Sequence, residues 1–428
     1  MTGERSTPFT IIQGGLSETS LTSRKEFLSS YVTDTRLMGV TGVYIHWALP
    51  ENTVLTHFHQ FFYLDSEEYG FDTYKGVLTG EDGEGLEELH DVENALLGGL
   101  GGKQVNLSEK EAIYMVQQYA ALNQRSGLEL PDGQEEYGFL LQPQITMDRT
   151  EEYVLMSKQC PILTSPYQVI HYFLMRCFGK DFGAAKFLTK HYVRTNLFPE
   201  HKMATLFKNT IDPAPDPDSG SNTGYHCTDG DRDFGTFQTH TSYLCESLIE
   251  YDQSFHLVVT QVTLDNLRVV RFEKVSSFRI SAAEAVMMLT RPEYITVFDW
   301  FEDAPAFTRN STHLTQRAMI TPHENGSLFM IFHPHNNHVN KQIYLLNDDV
   351  LGNYYVSDSG QLLLTSYTQD GIRAMESDFI TSGLCSYAAL AGKYQFGEPV
   401  LEEFMSSGFE DFTDFAAFIA KDTYDGDD

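Results

Sequence analysis

The stretch VTLDNLRVV, residues 262–270, decides the fold class because it has the pattern of a tight hairpin. Two runs of β-branched and apolar residues flank the pair Asp265-Asn266, and short polar pairs of this kind are typical of two-residue β-turns. A hairpin joins antiparallel strands, whereas parallel strands need a much longer crossover connection. The stretch therefore predicts antiparallel pairing in the second half of the chain.

Similar strand-like segments recur in both halves of the chain. Most of them are rich in β-branched or aromatic residues and are bounded by Gly, Asp or Asn. They are residues 42–49, 57–65, 254–264, 266–280, 295–301, 327–333, 341–348 and 360–367. Strands and helices do not alternate strictly, which favours an α+β fold over a doubly wound α/β fold. We predict mixed, mostly antiparallel sheets with packed helices.

Helix start signals stand between these segments. Ser108 with Glu111, and Ser281 with Glu284, have the spacing of a capping box, in which each residue satisfies a backbone N–H near the other. The C-terminal segment 406–422 carries acidic residues early and a lysine late, as the helix dipole prefers. These signals predict helices that begin after Ser108 and Ser281, and a last helix near the C-terminus.

A break in the pattern occurs at NTIDPAPDPDSGSNTG, residues 209–224. Its three prolines, three aspartates and two glycines oppose both helices and strand ladders. We predict an N-terminal α+β domain at 1–208 and a strand-rich C-terminal α+β domain with terminal helices at 225–428, joined by this linker or long loop. A second loop is predicted at 80–102, which is acidic and then glycine-rich.

The charge balance bears on the class of partner. The chain has 29 basic and 60 acidic residues, which gives a formal net charge of −31. Such a chain repels phosphate backbones and anionic membrane surfaces, and the basic residues between 180 and 208 form no tight cluster. We predict that it binds neither nucleic acid nor membranes, and that its partner is a protein or a small molecule.

The cysteines and the N-terminal residues bear on the cellular compartment of the protein. Five cysteines stand at 160, 177, 227, 245 and 385 without a CxxC pair, which fits buried free thiols in a reducing compartment. The opening MTGERSTPFTIIQGG lacks the basic and then apolar pattern of a signal peptide. No apolar run approaches the ~20 residues that span a bilayer. We predict a soluble, acidic, cytoplasmic protein.

Histidines form two His-x-His runs along the chain. His57 and His59 make the first, and His333 and His335 make the second, which His338 follows. Residues two apart on a strand share a face at a separation of ~6.6 Å, so each pair can grip one metal ion. We predict a site for zinc or another divalent metal at these five residues. The alternative is that they are hydrogen-bonded loop or rim residues, and the repetition itself leaves open a duplication or chance resemblance.

Two further motifs depart from the patterns they resemble. The stretch HCTDGDRDFGTFQTH, residues 226–240, has a D-x-D-x-D spacing, but Phe234 stands where a calcium loop needs glycine. The stretch GGLGGK, residues 98–103, departs from a phosphate-binding loop at Leu97 and Gln104. A solvated acidic loop and a flexible linker are the better interpretations.

The absence of known catalytic motifs and the high aromatic content bear on the function. No hydrolase elbow, zinc-protease helix motif or kinase signature occurs in the sequence. The 23 tyrosines and 30 phenylalanines suit a pocket or an interface as well as a core. We predict a non-catalytic protein that binds a ligand or partner. The alternative is a zinc-type hydrolase, which requires the two His-x-His runs to converge on one metal ion.

Overall fold

A computed structural model describes residues 23–67, 69–195, 203–214, 240–301, 318–323, 325–332, 346 and 349–425. In this part of the chain, helices and strands are both abundant, and the strands form three sheets. The prediction of an α+β fold with mostly antiparallel sheets is confirmed. None of the helices among the described residues is long and apolar enough to cross a membrane.

The helices and strands of the described residues are numbered in chain order. The helices are α1 (Leu86–Leu96), α2 (Glu109–Ser126), α3 (Gln134–Tyr137), α4 (Arg149–Gln159), α5 (Pro166–Phe178), α6 (Phe182–Phe187), α7 (Ala282–Leu289), α8 (Gln369–Thr381), α9 (Leu401–Ser407) and α10 (Phe412–Asp425). The strands are β1 (Glu26–Thr33), β2 (Val40–Ala48), β3 (Leu55–Asp65), β4 (Gly70–Gly80), β5 (Gln104–Asn106), β6 (Ala204–Pro213), β7 (Thr241–Tyr251), β8 (Ser254–Asp265), β9 (Arg268–Ile280), β10 (Glu293–Trp300), β11 (Ala318–His323), β12 (Gly326–Phe332), β13 (Val350–Ser357), β14 (Gln361–Ser366) and β15 (Ala388–Phe396).

The first sheet is an antiparallel meander with a short fifth strand. Its strand order is β4-β3-β2-β1-β5. Alternate residues of its strands point to opposite faces. One face packs against α2 through a core that includes Val43, Ile45 and Phe62. The opposite face carries Phe61 and Val77, against which α1 packs.

Helix α1 lies inside the segment 80–102, where the sequence predicted a loop. That prediction was wrong for residues 86–96 because the acidic character and the flanking glycines hide an apolar stripe. Its partly buried Leu89, Val92 and Leu96 pack on the sheet. Contact with the sheet therefore stabilises this helix, which the local sequence pattern does not predict.

The second sheet has the order β11-β12-β13-β14-β10-β15, with helices on both of its faces. Strand β14 is buried along its whole length, as expected for a strand covered on both sides. Leu362 and Leu364 face α8, and Leu363 between them faces α9 and α10. The predicted C-terminal helix is α10, which buries Phe412 and Phe415 against this sheet.

The third sheet has the order β6-β7-β8-β9 and contains the hairpin predicted at 262–270. Asn266 and Leu267 connect β8 to β9, and their φ angles of 49° and 60° are the left-handed pair that a two-residue hairpin turn needs. The prediction of a hairpin is confirmed, with the turn one residue later than the Asp265-Asn266 pair.

The chain divides into two compact units, each built from several stretches. Unit 1 comprises Met1–Thr205, Pro213–Tyr243 and Val262–Glu273, and unit 2 comprises Leu206–Asp212, Leu244–Gln261 and Lys274–Asp428. The domain boundary at 209–224 stays a prediction. Residues 209–213 of that segment lie in β6, and residues 215–224 lie outside the described part of the chain.

Candidate functional site

His57 and His59, two of the five predicted metal ligands, lie on β3 of the first sheet. They share the face that α1 partly covers, as strand alternation predicts. His59 is buried and His57 is half-buried. His333, His335 and His338 lie outside the described residues, so the convergence of the two His-x-His runs stays a prediction.

Strand β2 places a third histidine and a tyrosine on the same face. In the antiparallel register, His46 lies opposite His59 and Tyr44 lies opposite Phe61. The rings of His46 and His59 are stacked, with centroids 4.3 Å apart and planes inclined by 17°. His46 Nε2 and His57 Nδ1 are 3.0 Å apart and share one hydrogen bond. We refer to His46, His57 and His59 as the histidine cluster.

Both ring nitrogens of His59 are already hydrogen-bonded within the sheet. Nδ1 pairs with the Tyr44 hydroxyl at 2.6 Å, and Nε2 pairs with the Thr79 hydroxyl at 2.9 Å. Burial, together with the neighbouring His46 and His57, lowers the pKa of His59 to about 3. His59 is therefore a neutral ring whose nitrogens hold the sheet face together.

His46 is also neutral, because burial and then the nearby His57 lower its pKa to about 4. Within the described residues, no group of three or more His, Cys, Asp or Glu side chains is placed to hold a metal ion. The facing nitrogens of His46 and His57 are the two donors of this cluster that lie against each other.

Two tyrosines connect the histidine cluster to α1. Tyr31 donates a hydrogen bond of 2.6 Å to Glu93 Oε1 and stacks on Tyr44 with ring centroids 4.9 Å apart. Burial raises the pKa of Tyr31, and the bond to Glu93 raises it further. Burial and Glu93 likewise raise the pKa of Tyr44. Both phenols stay protonated near neutral pH, so they serve as hydrogen-bonding groups.

A pocket of about 300 Å³ lies between α2 and α4 in unit 1. Its apolar lining residues are Met115, Leu122, Leu155 and Met156. Its polar lining residues are Arg36, Ser66, Tyr114, Gln118, Tyr119, Arg125, Glu152 and Gln159. Eight of the twelve lining residues are thus polar, and polar groups that converge on one cavity fix the orientation of a bound small molecule.

Arg36 is the charged group of this pocket that is held most firmly. Its Nε and Nη2 donate to the two carboxylate oxygens of Asp181 at 3.0 and 3.1 Å, and its Nη1 donates to Gln159 Oε1 at 2.9 Å. A guanidinium has five N–H groups. Two of them therefore have no acceptor among the described residues.

The position of Arg36 is fixed by elements on both sides. It lies in the short 3-10 turn Arg36–Met38 between β1 and β2. Asp181 caps the N-terminus of α6 through a hydrogen bond from the Ala184 N–H. Burial opposes ionisation of Asp181, but the charges of Arg36 and then Arg176 outweigh it and lower the pKa of that carboxyl. The pair therefore stays charged near neutral pH.

A second buried arginine lies close to this pair. Arg176 on α5 has 1% of its surface exposed, and its Nη1 lies 2.9 Å from Glu67 Oε1. A Cβ atom at Gly179 would lie 1.6 Å from that same Glu67 oxygen. Glycine at this helix end therefore gives the carboxylate room to reach Arg176.

A second pocket, of about 380 Å³, lies on another side of α2. Trp47, Ile113 and Phe139 line it, and the Lys25 ammonium lies 4.9 Å from the centroid of the Phe139 ring. Burial lowers the pKa of Lys25. The first pocket is the stronger candidate because several polar groups converge on it from separate elements.

Sequence reasoning did not find the pocket or the third histidine. Tyr44-x-His46 has the same alternation as His57-x-His59, so the signal for a shared face was present in the strand at 42–49. Arg36 and Asp181 carry no local signal, because their pairing depends on the tertiary fold.

A scan against family models, a search of curated proteins and a search of solved structures found no match for this chain.

Proposed function

We propose that unit 1 is a non-catalytic binding module for a small organic molecule, which occupies the pocket between α2 and α4. The observation that supports this proposal is the position of Arg36, which lines the pocket and has two N–H groups without an acceptor among the described residues. Small-molecule sites combine an apolar enclosure with a few fixed polar groups that set orientation.

The size and lining of the pocket define the class of ligand. A volume of about 300 Å³ is at the lower end of the range for ligand pockets, so the molecule is smaller than a typical drug. Met115, Leu155 and Met156 favour an apolar body, and thioether side chains adapt to its shape. The free N–H groups of Arg36 favour a carbonyl or carboxylate oxygen at one end of that body.

The bonding of the polar groups favours recognition over catalysis. Both carboxylate oxygens of Asp181 accept hydrogen bonds from Arg36, so this acid is not placed to remove a proton from a ligand. Burial raises the pKa of Tyr119, whose hydroxyl is hydrogen-bonded to Ser66 at 2.6 Å. These groups hold each other in place, which suits a preformed binding site.

The zinc-hydrolase alternative rests on His57, His59, His333, His335 and His338 together. The described residues include only His57 and His59, and His59 uses both of its ring nitrogens within the sheet. No observation in this part of the chain favours the hydrolase over the binding module. A cytoplasmic location remains part of the proposal, supported by the free thiols of Cys160, Cys177 and Cys245 in buried positions.

The test is a ligand screen with the full chain and a variant whose pocket is filled. Saturation-transfer NMR against small aromatic and aliphatic carboxylates, and against their amides, should yield ligands that bind the wild-type protein. Leu122→Trp places an indole in the pocket and should abolish their binding. Leu128→Trp is the matched control, because Leu128 lies just beyond α2 and is 39% exposed.

Thermal unfolding of both variants shows whether each is folded before binding is compared. The proposal fails if the ligands bind Leu122→Trp as tightly as wild type, or if the screen yields no ligand that Leu122→Trp loses. A preference for carboxylates over the matched amides would identify Arg36 as a partner for a negative charge. Equal binding of both would identify it as a donor to a carbonyl oxygen.

A further inference from the structure

The pocket between α2 and α4 carries charges of opposite sign at its two ends. Glu152 on α4 accepts a hydrogen bond of 2.7 Å from the Tyr114 hydroxyl. Gln159, on the same helix, accepts the bond of 2.9 Å from Arg36. Glu152 and Gln159 are seven positions apart on α4, so they lie about 10 Å apart along the helix axis. The carboxylate of Glu152 and the guanidinium of Arg36 therefore line different ends of the pocket.

Helix α2 shows the same separation of charge. Tyr114, which is bonded to Glu152, precedes Tyr119 by five positions, or about 7.5 Å along the helix axis. The Arg36 guanidinium carbon lies 5.9 Å from the centre of the Tyr119 ring. Arg125 lines the pocket six positions further along α2. The pocket thus has a carboxylate at one end and both of its guanidinium groups toward the other.

Both ends have hydrogen-bonding groups that a ligand can use. Arg36 has two N–H groups without an acceptor among the described residues. Glu152 is exposed to solvent, and its Oε1 accepts the Tyr114 hydroxyl while its Oε2 has no donor among the described residues. Burial and then the bond to Glu152 raise the pKa of Tyr114 to about 12, so this phenol stays a donor near neutral pH. A ligand therefore meets donors at one end and an acceptor at the other.

The separation of these ends fits a small molecule that carries both charges. Charge-assisted hydrogen bonds are about 2.7–2.9 Å long. In an α-amino acid, the ammonium and the carboxylate are bonded to the same carbon, so the molecule with one such bond at each end spans roughly 9 Å. This span matches the distances along α2 and α4. A simple carboxylate would leave Glu152 without a partner and would add negative charge to a chain of net charge −31.

We propose that the molecule bound between α2 and α4 is an α-amino acid with an apolar side chain, whose carboxylate binds Arg36 and whose ammonium binds Glu152. This inference rests on the proposed function of unit 1 as a small-molecule binding module, and it names the class of ligand. The side chain of the ligand lies against Met115, Leu155 and Met156. Thioether side chains adapt to different shapes, so more than one apolar amino acid is accepted.

The experiment is isothermal titration calorimetry of the full chain with matched pairs of ligands. L-leucine is compared with 4-methylpentanoate, L-phenylalanine with 3-phenylpropanoate, and L-methionine with 4-(methylthio)butanoate. The second member of each pair lacks only the amino group. At least one amino acid should bind, and about tenfold more tightly than its counterpart, because the counterpart loses a hydrogen bond between charged groups. The amide of that amino acid, which loses the carboxylate, should also bind about tenfold more weakly.

A substitution at the acidic end separates this role of Glu152 from general binding. Glu152→Gln keeps an oxygen acceptor without the charge, so the preference for the amino acid over its counterpart should fall from about tenfold to about twofold. Glu129→Gln is the matched control, because Glu129 is exposed just beyond α2. It should leave the preference unchanged. Thermal unfolding shows that both variants are folded before the affinities are compared.

Several outcomes overturn the assignment of an amino acid. They are the absence of binding by all three amino acids, equal binding of each amino acid and its counterpart, and an unchanged preference in Glu152→Gln. An amide that binds more tightly than its amino acid would also overturn it, since the net charge of −31 would then explain the attraction. The proposed function fails separately, when the ligand screen yields no molecule that Leu122→Trp loses.

Discussion

Arg36 and Asp181, which are 145 positions apart in the chain, form a two-point ion pair with contacts of 3.0 and 3.1 Å. Both side chains are largely buried, with 17% and 4% of their surfaces exposed. In the intact pair, the attraction between the two charges offsets the free-energy cost of removing them from water. If one partner were lost, the other charge would stay buried without that compensation. The free energy of unfolding should therefore fall when either Arg36 or Asp181 loses its charge.

The first prediction concerns the loss of the carboxylate. Asp181→Asn leaves the Arg36 charge buried without a counter-charge and should lower the free energy of unfolding by about 3–5 kcal/mol. Urea unfolding at pH 7, followed by circular dichroism, measures this loss. Asp91→Asn, at an exposed position on α1, should change the value by less than about 0.5 kcal/mol. Equal effects of the two substitutions would contradict the role of the pair.

The second prediction concerns the pH dependence of the same carboxylate. The charges of Arg36 and Arg176 outweigh burial and lower the pKa of Asp181 below its ordinary value of 3.8. A lowered pKa contributes stability that is present above pH 3.8 and is lost as the pH falls through the folded-state pKa. The stability difference between wild type and Asp181→Asn should therefore be largest near neutral pH and should shrink below pH 3.8. A difference that grows on acidification would contradict this sign.

The third prediction concerns Glu293 in unit 2, which has 1% of its surface exposed. Its Oε2 accepts the N–H groups of Val400 and Leu401, but burial outweighs these bonds and raises its pKa above 4.5. The associated stability is therefore fully present below pH 4.5 and is lost as the pH rises through the folded-state pKa. Glu293→Gln keeps one oxygen acceptor without the charge, so it should unfold at higher urea than wild type at pH 7.

The advantage of Glu293→Gln should disappear as the pH approaches 4.5, where the wild-type carboxyl takes up its proton. Glu398→Gln is the control, because Glu398 is exposed on the chain between β15 and α9. It should leave the urea midpoint unchanged at both pH values. A loss of stability in Glu293→Gln at pH 7 would show that the negative charge itself is needed at this position.

The fourth prediction concerns the hydrogen bond between Tyr44 and His59. Tyr44→Phe removes the hydroxyl that lies 2.6 Å from His59 Nδ1 and leaves that nitrogen buried without its partner. The free energy of unfolding should fall by about 1–3 kcal/mol. Tyr69→Phe is the control, since Tyr69 is 51% exposed. If Tyr44→Phe were as stable as the control, His59 would be solvated or flexible in solution.

The fifth prediction concerns the reactivity of the thiols. Burial raises the pKa of Cys160 and Cys245 to about 12 each, and raises that of Cys177 well above its usual value. Because the thiolate is the reactive form, these three should react slowly with maleimide in the native protein. Cys385 is partly exposed and should react first among the four described cysteines. Mass spectrometry of the labelled peptides measures the order, which should vanish in urea.

The sequence predicted those features that depend on neighbouring residues. The capping boxes at Ser108 and Ser281 form as expected, because the bonded groups are three positions apart. The hairpin after Asp265 was also predictable, since a two-residue turn between two strands is a local structure. Helix α1 was missed because its stability comes from Phe61 and Val77 on the sheet.

The candidate pocket could not be predicted from the sequence, because it depends on contacts between residues that are distant in the chain. An isolated arginine at 36 and an aspartate at 181 each look like solvated surface residues, which is the usual position of charged side chains. Only the packing of α4, α5 and α6 brings Asp181, Gln159 and Arg176 close to Arg36. The His46–His57 contact likewise depends on the register between β2 and β3, which the intervening residues did not reveal.

The two units are interleaved along the chain, which limits how gene rearrangement can separate them. Unit 1 extends to Glu273, and unit 2 begins at Leu206. Any single breakpoint therefore divides at least one unit, and a breakpoint between Leu206 and Glu273 divides both. Gene fusion or exchange at one breakpoint can transfer one unit whole only if it carries part of the other unit with it. Neither unit can therefore be separated cleanly from the other by a single rearrangement.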